Sequence, residues 1–117
     1  MSDAGADVAA AIERHKEVLA SGRHVLSGLR MRDVEVEGAD LAIELEIDDT
    51  VTNPTGALQG GLVATFADIV GGRMAMDGID AHSIVVTSDL TAHYLGPVQH
   101  GPAHAASHVP RRGRRAV

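Results

Sequence analysis

The chain has 117 residues and a net charge of −6, with 44% hydrophobic and 22% charged residues, a balance that fits one small globular domain and excludes a disordered chain. Cys and Trp are absent, and Phe66 and Tyr94 are the only Phe and Tyr. That excludes disulfides, thiolate chemistry and Cys-ligated zinc, and leaves the core to Val, Leu, Ile, Ala and Met.

The acidic body and the scarcity of aromatics speak against a nucleic-acid partner. No apolar run approaches the roughly 18 residues of a membrane helix, so no membrane contact is expected. The N-terminal stretch MSDAGADVAAAIERHK lacks the basic-then-apolar layout of a signal peptide, and a cytoplasmic protein is expected. A small aliphatic core also predicts burial against a second subunit.

In chain order, residues 1–6 read as a flexible N-terminus and Asp7 to Ala20 as a helix, with Val8, Ile12 and Leu19 near one face and Ser21-Gly22 as its stop. "VEVEGADLAIELEI" reads as a hairpin turning at Gly38-Ala39-Asp40. Leu41, Ile43, Leu45 and Ile47 alternate there with Ala42, Glu44, Glu46 and Asp48, a period of two with one wet face. "DDTVTNPTGALQGG" is a loop, with Asn53-Pro54 setting extended backbone before a tight turn.

A central helix follows over 60–76. Steps of ~100° place Leu62, Val63, Phe66, Val70 and Met74 on one broad face, and Ala64, Asp68, Gly71, Gly72 and Ala75 on a small-residue stripe opposite. Ser83 to Leu95 reads as a long strand, with Ile84, Val86, Leu90, Ala92 and Tyr94 on one face and Thr87, Asp89, Thr91 and His93 on the other. Ala103 to about Val109 reads as a further strand, ended by Pro110. The order implies an α+β domain, residues 1–117, with an antiparallel sheet.

His100, His104 and His108 tempt a metal reading. Gly101-Pro102 breaks a helix there, and on a strand residues four apart lie ~13 Å from each other, too far to share one ion. No metal is assigned. Arg111, Arg112, Arg114 and Arg115 follow the last acid, Asp89, and read either as a solvated terminus or as a phosphate contact. Gly60-Gly61 at a helix start either makes a tight turn or leaves backbone N–H groups for an anion or oxyanion. Asp68 lies about two helical turns beyond, among small uncharged neighbours, where a carboxylate needs partners.

"NPTGALQGGLVATFAD" followed by "VVTSDLTAHYLGPV" resembles the hotdog-fold thioesterases of the phenylacetate-degradation (PaaI-like) type, and the resemblance runs from about Leu29 to Arg115. It implies a hotdog fold, a long central helix wrapped by a curved antiparallel sheet. It also implies an acyl-CoA thioesterase that needs no metal or redox cofactor. Gly60 takes the place of the residue whose N–H polarises the thioester carbonyl, and Asp68 that of the acid that attacks the carbonyl or activates water. Thr87 matches the hydroxyl that orients that water or the acid, and Asn53 the polar residue that places water or substrate. Gly61, Thr65 and Ser88 fall at substrate-binding positions, and Arg111 and Arg112 at positions to meet the phosphates of CoA.

The resemblance further implies a homodimer or homotetramer with a shared site. Asn53, Gln59 and Gly60 would come from one chain, Asp68 and Thr87 from the other. The family's usual His before the double glycine is Gln59 here, which can donate a hydrogen bond but does not titrate near neutral pH. Family members continue past "RRGRR" with further strand sequence, so the last strand or strands are expected to be missing and a sheet edge exposed. The rival reading is a non-catalytic acyl-CoA binder or truncated hotdog dimerisation module. A hydratase would want an Asp–His pair near the helix start, where His is absent. Medium-chain and aryl acyl groups both remain open.

Overall fold

Leu41, Ile43 and Leu45 share one face by the two-residue period of a strand. They belong to β2 (Leu41–Leu45), which pairs antiparallel with β1 (Met31–Val34) on one side and β3 (Ala103–Ser107) on the other. The computed structural model describes residues 3–80 and 83–114. Met31 lies opposite Leu45 and Val34 opposite Ala42; on the other flank Leu41 meets Ser107 and Leu45 meets Ala103. β1 therefore lies earlier than the hairpin pattern predicts, and Glu35, Val36 and Glu37 belong to the connection. Gly38 turns that connection with φ of +84°, the left-handed region that favours glycine, and the Ala39 N–H donates to the Val36 carbonyl at 3.1 Å.

The face expected to be wet is covered. Ala42 and Glu44 are buried along with core-facing Ile43 and Leu45. β2 is the central strand, so its outward residues are flanked by cross-strand partners on both sides. Arg32 and His104 stand opposite Glu44 in the two ladders. Arg32 Nε donates to Glu44 Oε2 at 2.5 Å, and His104 Nε2 lies 2.9 Å from Oε1.

On the inner face lies α2 (Gly60–Met76). Phe66 and Val70, four residues apart and hence on one side of the helix, join Ile43, Leu45, Val51, Leu58 and Ala103 in the core. Asp33 points to the same side as Ile43, its cross-strand partner, and its carboxylate accepts both Nη atoms of Arg73 on α2, at 2.7 and 3.0 Å. Ala75, expected on the stripe away from the sheet, is buried. Arg112 reaches that end of the helix and donates to the carbonyls of Ala75 (3.0 Å) and Met74 (3.3 Å).

Residues 83–95 depart furthest from expectation. Among the described residues they join no sheet, and Ile84, Val86, Leu90, Tyr94 and Leu95 are exposed. A period of two says which face a strand would bury, whereas a ladder also needs a partner edge. The segment instead straps the side of α2 away from the sheet. The Val85 N–H meets Met76 Sδ at 3.3 Å, Thr87 Oγ1 donates to Asp68 at 2.6 Å, and the Tyr94 hydroxyl donates to the Gly60 carbonyl at 2.7 Å. The strap thus runs antiparallel to the helix along most of its length.

α1 (Asp3–Ala20) starts earlier than the predicted Asp7; the Ala-rich run behind it extends at little cost in helix propensity. Among the described residues it contacts neither α2 nor the sheet, only a 3-10 turn at Val25–Gly28. Ser27 Oγ ties that turn to the Leu19 carbonyl at 2.9 Å, and the His15 and His24 rings meet edge to face. No described helix is long and apolar enough to cross a membrane.

Glu44 makes stability depend on pH. Hydrogen bonds from Arg32 and then His104 hold its carboxyl below the ordinary value of 4.5. The unfolded chain therefore binds the proton more readily, so this contribution is present above the ordinary value and lost as pH falls through the lowered one. Urea melts of Glu44→Gln against wild type should show a midpoint difference that is full at neutral pH and shrinks below about pH 4. A difference independent of pH would remove Glu44 from this role.

Candidate active site

The loop before α2 is built around one side chain. Asn53 Oδ1 accepts from the Thr55 N–H (3.0 Å), the Thr55 hydroxyl (2.7 Å) and the Ala57 N–H (3.2 Å). This is the Asx geometry that favours Asn in turns. Gly56, with φ of +84°, lets the chain double back so that the Asn53 N–H reaches the Ala57 carbonyl at 2.8 Å. The Asn53 carbonyl group, expected near substrate or water, thus serves its own loop.

The loop delivers Gln59 as the N-cap of α2. The Gln59 N–H donates to the Val51 carbonyl at 3.0 Å, and its own carbonyl accepts from Leu62 and Val63 at 2.9 and 3.0 Å. Its side chain makes no capping bond and is exposed. Among the described residues, no acceptor meets the N–H groups of Gly60 or Gly61, both on exposed residues. These are two of the orphan donors every helix start carries, at the positive end of the helix dipole.

Asp68 lies eight positions further along α2, roughly 12 Å up the axis at 1.5 Å per residue. It is exposed on the side away from the sheet, where the strap brings Thr87 Oγ1 to its Oδ1. The Thr87 proton is committed to that bond, so its oxygen lone pairs are left to accept. A water between the two oxygens would give one proton to each and turn a lone pair outward.

Of the remaining predicted positions, Thr65 is bound back to the Gly61 carbonyl at 2.9 Å, the usual i−4 habit of helical Thr. Ser88 and Arg111 are exposed. Arg112, expected near a phosphate, donates to the last-turn carbonyls of α2, which are unpaired acceptors at a helix C-terminus. Arg115 lies outside the described residues. The sequence reading missed Tyr94 as a partner of the helix start, because period two assigned it to a strand's buried face. Its place as the one Tyr, close to the Gly96-Pro97 turn, was the available signal. His104 is engaged by Glu44 and sits apart from these residues on β3.

A family model described as the thioesterase superfamily matches residues 55–117, which hold α2, the strap and β3. A relative from Saccharolobus solfataricus that carries the name of an esterase is 26% identical over 106 residues, covering 91% of this chain and 75% of the relative.

The Asn53 hydrogen bonds predict a structural effect separable from any other. Asn53→Ala removes the shared acceptor and should lower stability by about 1–3 kcal/mol. Asn53→Asp keeps an acceptor oxygen and should recover most of it, read by thermal or denaturant melts. An Asp variant as unstable as the Ala variant would refute the loop assignment.

Proposed function

Because the chain belongs to the thioesterase superfamily, we propose that it hydrolyses acyl thioesters of the acyl-CoA class, with Asp68 as general base and the Gly60 N–H as oxyanion donor. The observation that carries this reading is the Thr87–Asp68 hydrogen bond of 2.6 Å, which fixes the carboxylate in one orientation beside a second acceptor. Water held by both oxygens loses a proton to Asp68 as its oxygen attacks the thioester carbon. The carbonyl oxygen becomes an oxyanion, met by a helix-start N–H. Collapse breaks the C–S bond, and the thiolate leaves to take up the proton that Asp68 holds. Acid and thiol are the products.

Gly60 and Asp68 of one helix, ~12 Å apart along its axis, are too far from each other to serve one carbonyl. We therefore take the site to be shared between two copies, Gln59 and Gly60 of one facing Asp68 and Thr87 of the other. The strap supports such an assembly: Val86 is 81% and Leu95 97% exposed, and extended backbone without a ladder is a template for pairing. Exposed Arg111 is left to meet a phosphate of CoA.

Gly60→Pro is a clean probe of the oxyanion donor. Gly60 is the first residue of α2, where Pro is tolerated, and Gln59 already has the extended backbone (φ −52°, ψ 132°) that a residue before Pro adopts. The variant loses the N–H alone and should lower kcat by about 10²–10³-fold with its fold intact by circular dichroism. Asp68→Asn should lower kcat by about 10²–10⁴-fold. Mixing the two inactive chains should restore about a quarter of the wild-type rate, since half the dimers are mixed and each carries one intact site. Thioester turnover unchanged in Asp68→Asn would sink the proposal, and no recovery on mixing would remove the shared site.

A further inference from the structure

Asp68 stands at the rim of a cleft of about 1110 Å³ between α1 and α2. Its floor is one face of α2, where Asp68, Ile69, Gly72 and Met76 follow each other at helical spacing. Its walls include Ile12 and Leu19 of α1 and Ile84 of the strap. From Asp68 to Met76 the floor runs about 12 Å, the reach of a medium-length alkyl chain and far more than one phenyl ring needs. No Phe, Tyr or Trp lines it, and its aromatic ring, the His15 imidazole, is already met edge to face by His24.

Lys16, Arg73, Asp40 and Asp77 also line the cleft. Its two cations are each paired, Lys16 with Glu13 and Arg73 with Asp33. The mainly apolar lining fits a ligand pocket, and the carboxylate proposed to act on the acyl carbon is part of that lining. We propose that this trough receives the acyl group as a straight aliphatic chain of medium length, laid along α2 from Asp68 toward Met76. The inference rests on the hydrolase reading for its substrate, and chooses between the aliphatic and aryl classes that the sequence leaves open.

The glycines of α2 give the test. A Cβ at Gly72 or at Gly71 meets nothing within 4 Å, so a side chain can start at either position without a clash, and Leu gains helix propensity. Gly72 lines the trough and Gly71 does not. With straight-chain acyl-CoAs from acetyl to decanoyl, kcat/KM should rise about two- to fourfold per methylene until the trough is full, and benzoyl- and phenylacetyl-CoA should fall below octanoyl. Gly72→Leu should cut the octanoyl-to-acetyl ratio at least tenfold, and Gly71→Leu should leave that ratio unchanged.

S-alkyl-CoA thioethers, which bind without being cleaved, separate the two readings. Affinity that grows with alkyl length and is lost in Gly72→Leu, without cleavage of any acyl-CoA, keeps the trough and removes the hydrolase. Cleavage with no length dependence, with an aryl preference, or with equal effects of the two Leu variants overturns the trough. So does a Gly72→Leu variant whose oligomeric state changes by light scattering while its chain-length profile does not, since the cleft then belongs to a second copy.

Discussion

The constraint behind the structure is the apolar surface of α2, which is more than the sheet can cover. A 17-residue helix is about 25 Å long, while strands of four or five residues span about 13–17 Å. The sheet seals the middle of the helix, where Phe66 and Val70 meet Ile43 and Leu45. The N-terminal end is sealed from the loop by Val51 and Leu58, and the C-terminal end by Arg112 over Ala75. What remains is the side facing away from the sheet, and there the chain returns as the strap. Burial is thus assembled from different kinds of element, with the charge pair Arg73–Asp33 pinning helix to sheet near the open side.

That arrangement spaces the candidate groups along the helix. Its start presents backbone donors, its third turn presents a carboxylate, and its far end borders the trough. The strap touches the start through Tyr94 and the carboxylate through Thr87, so one segment contacts both candidate groups of its own helix. The Tyr94 hydroxyl binds the carbonyl of the same peptide group that bears the Gly61 N–H. A hydrogen bond at one end of a peptide unit polarises the other, so the donor next to Gly60 is both oriented and strengthened.

Much of this was legible in the sequence, and the misses share a cause. The apolar stripe of α2, the alternation of β2 and the strand from Ala103 follow from local periodicity. The Thr87–Asp68 juxtaposition follows from the motif resemblance, since the two lie 19 positions apart with no local signal joining them. Periodicity reports which face wants burial and not what supplies it. Hence Ser83 to Leu95 reads as a strand where the chain makes a strap, and Glu44 reads as wet where Arg32 and His104 cover it. Asn53 and Arg112 are polar residues near functional positions, and both turn inward to satisfy nearby backbone. A backbone acceptor or donor is invisible in a string of side-chain letters.

Gln59 narrows the chemistry of the proposed site. A His there would offer a proton near neutral pH; Gln offers only a fixed amide donor. Among the described residues at the site, the acid available for the leaving group is then Asp68 carrying the proton it has taken from water. A thiolate, whose conjugate acid has a pKa of about 8.5, leaves without being protonated first and collects that proton afterward. An alkoxide, close to hydroxide in basicity, has to be protonated as it departs, which asks Asp68 to deliver its proton during bond cleavage rather than after it. The same geometry therefore suits a thioester better than an oxygen ester.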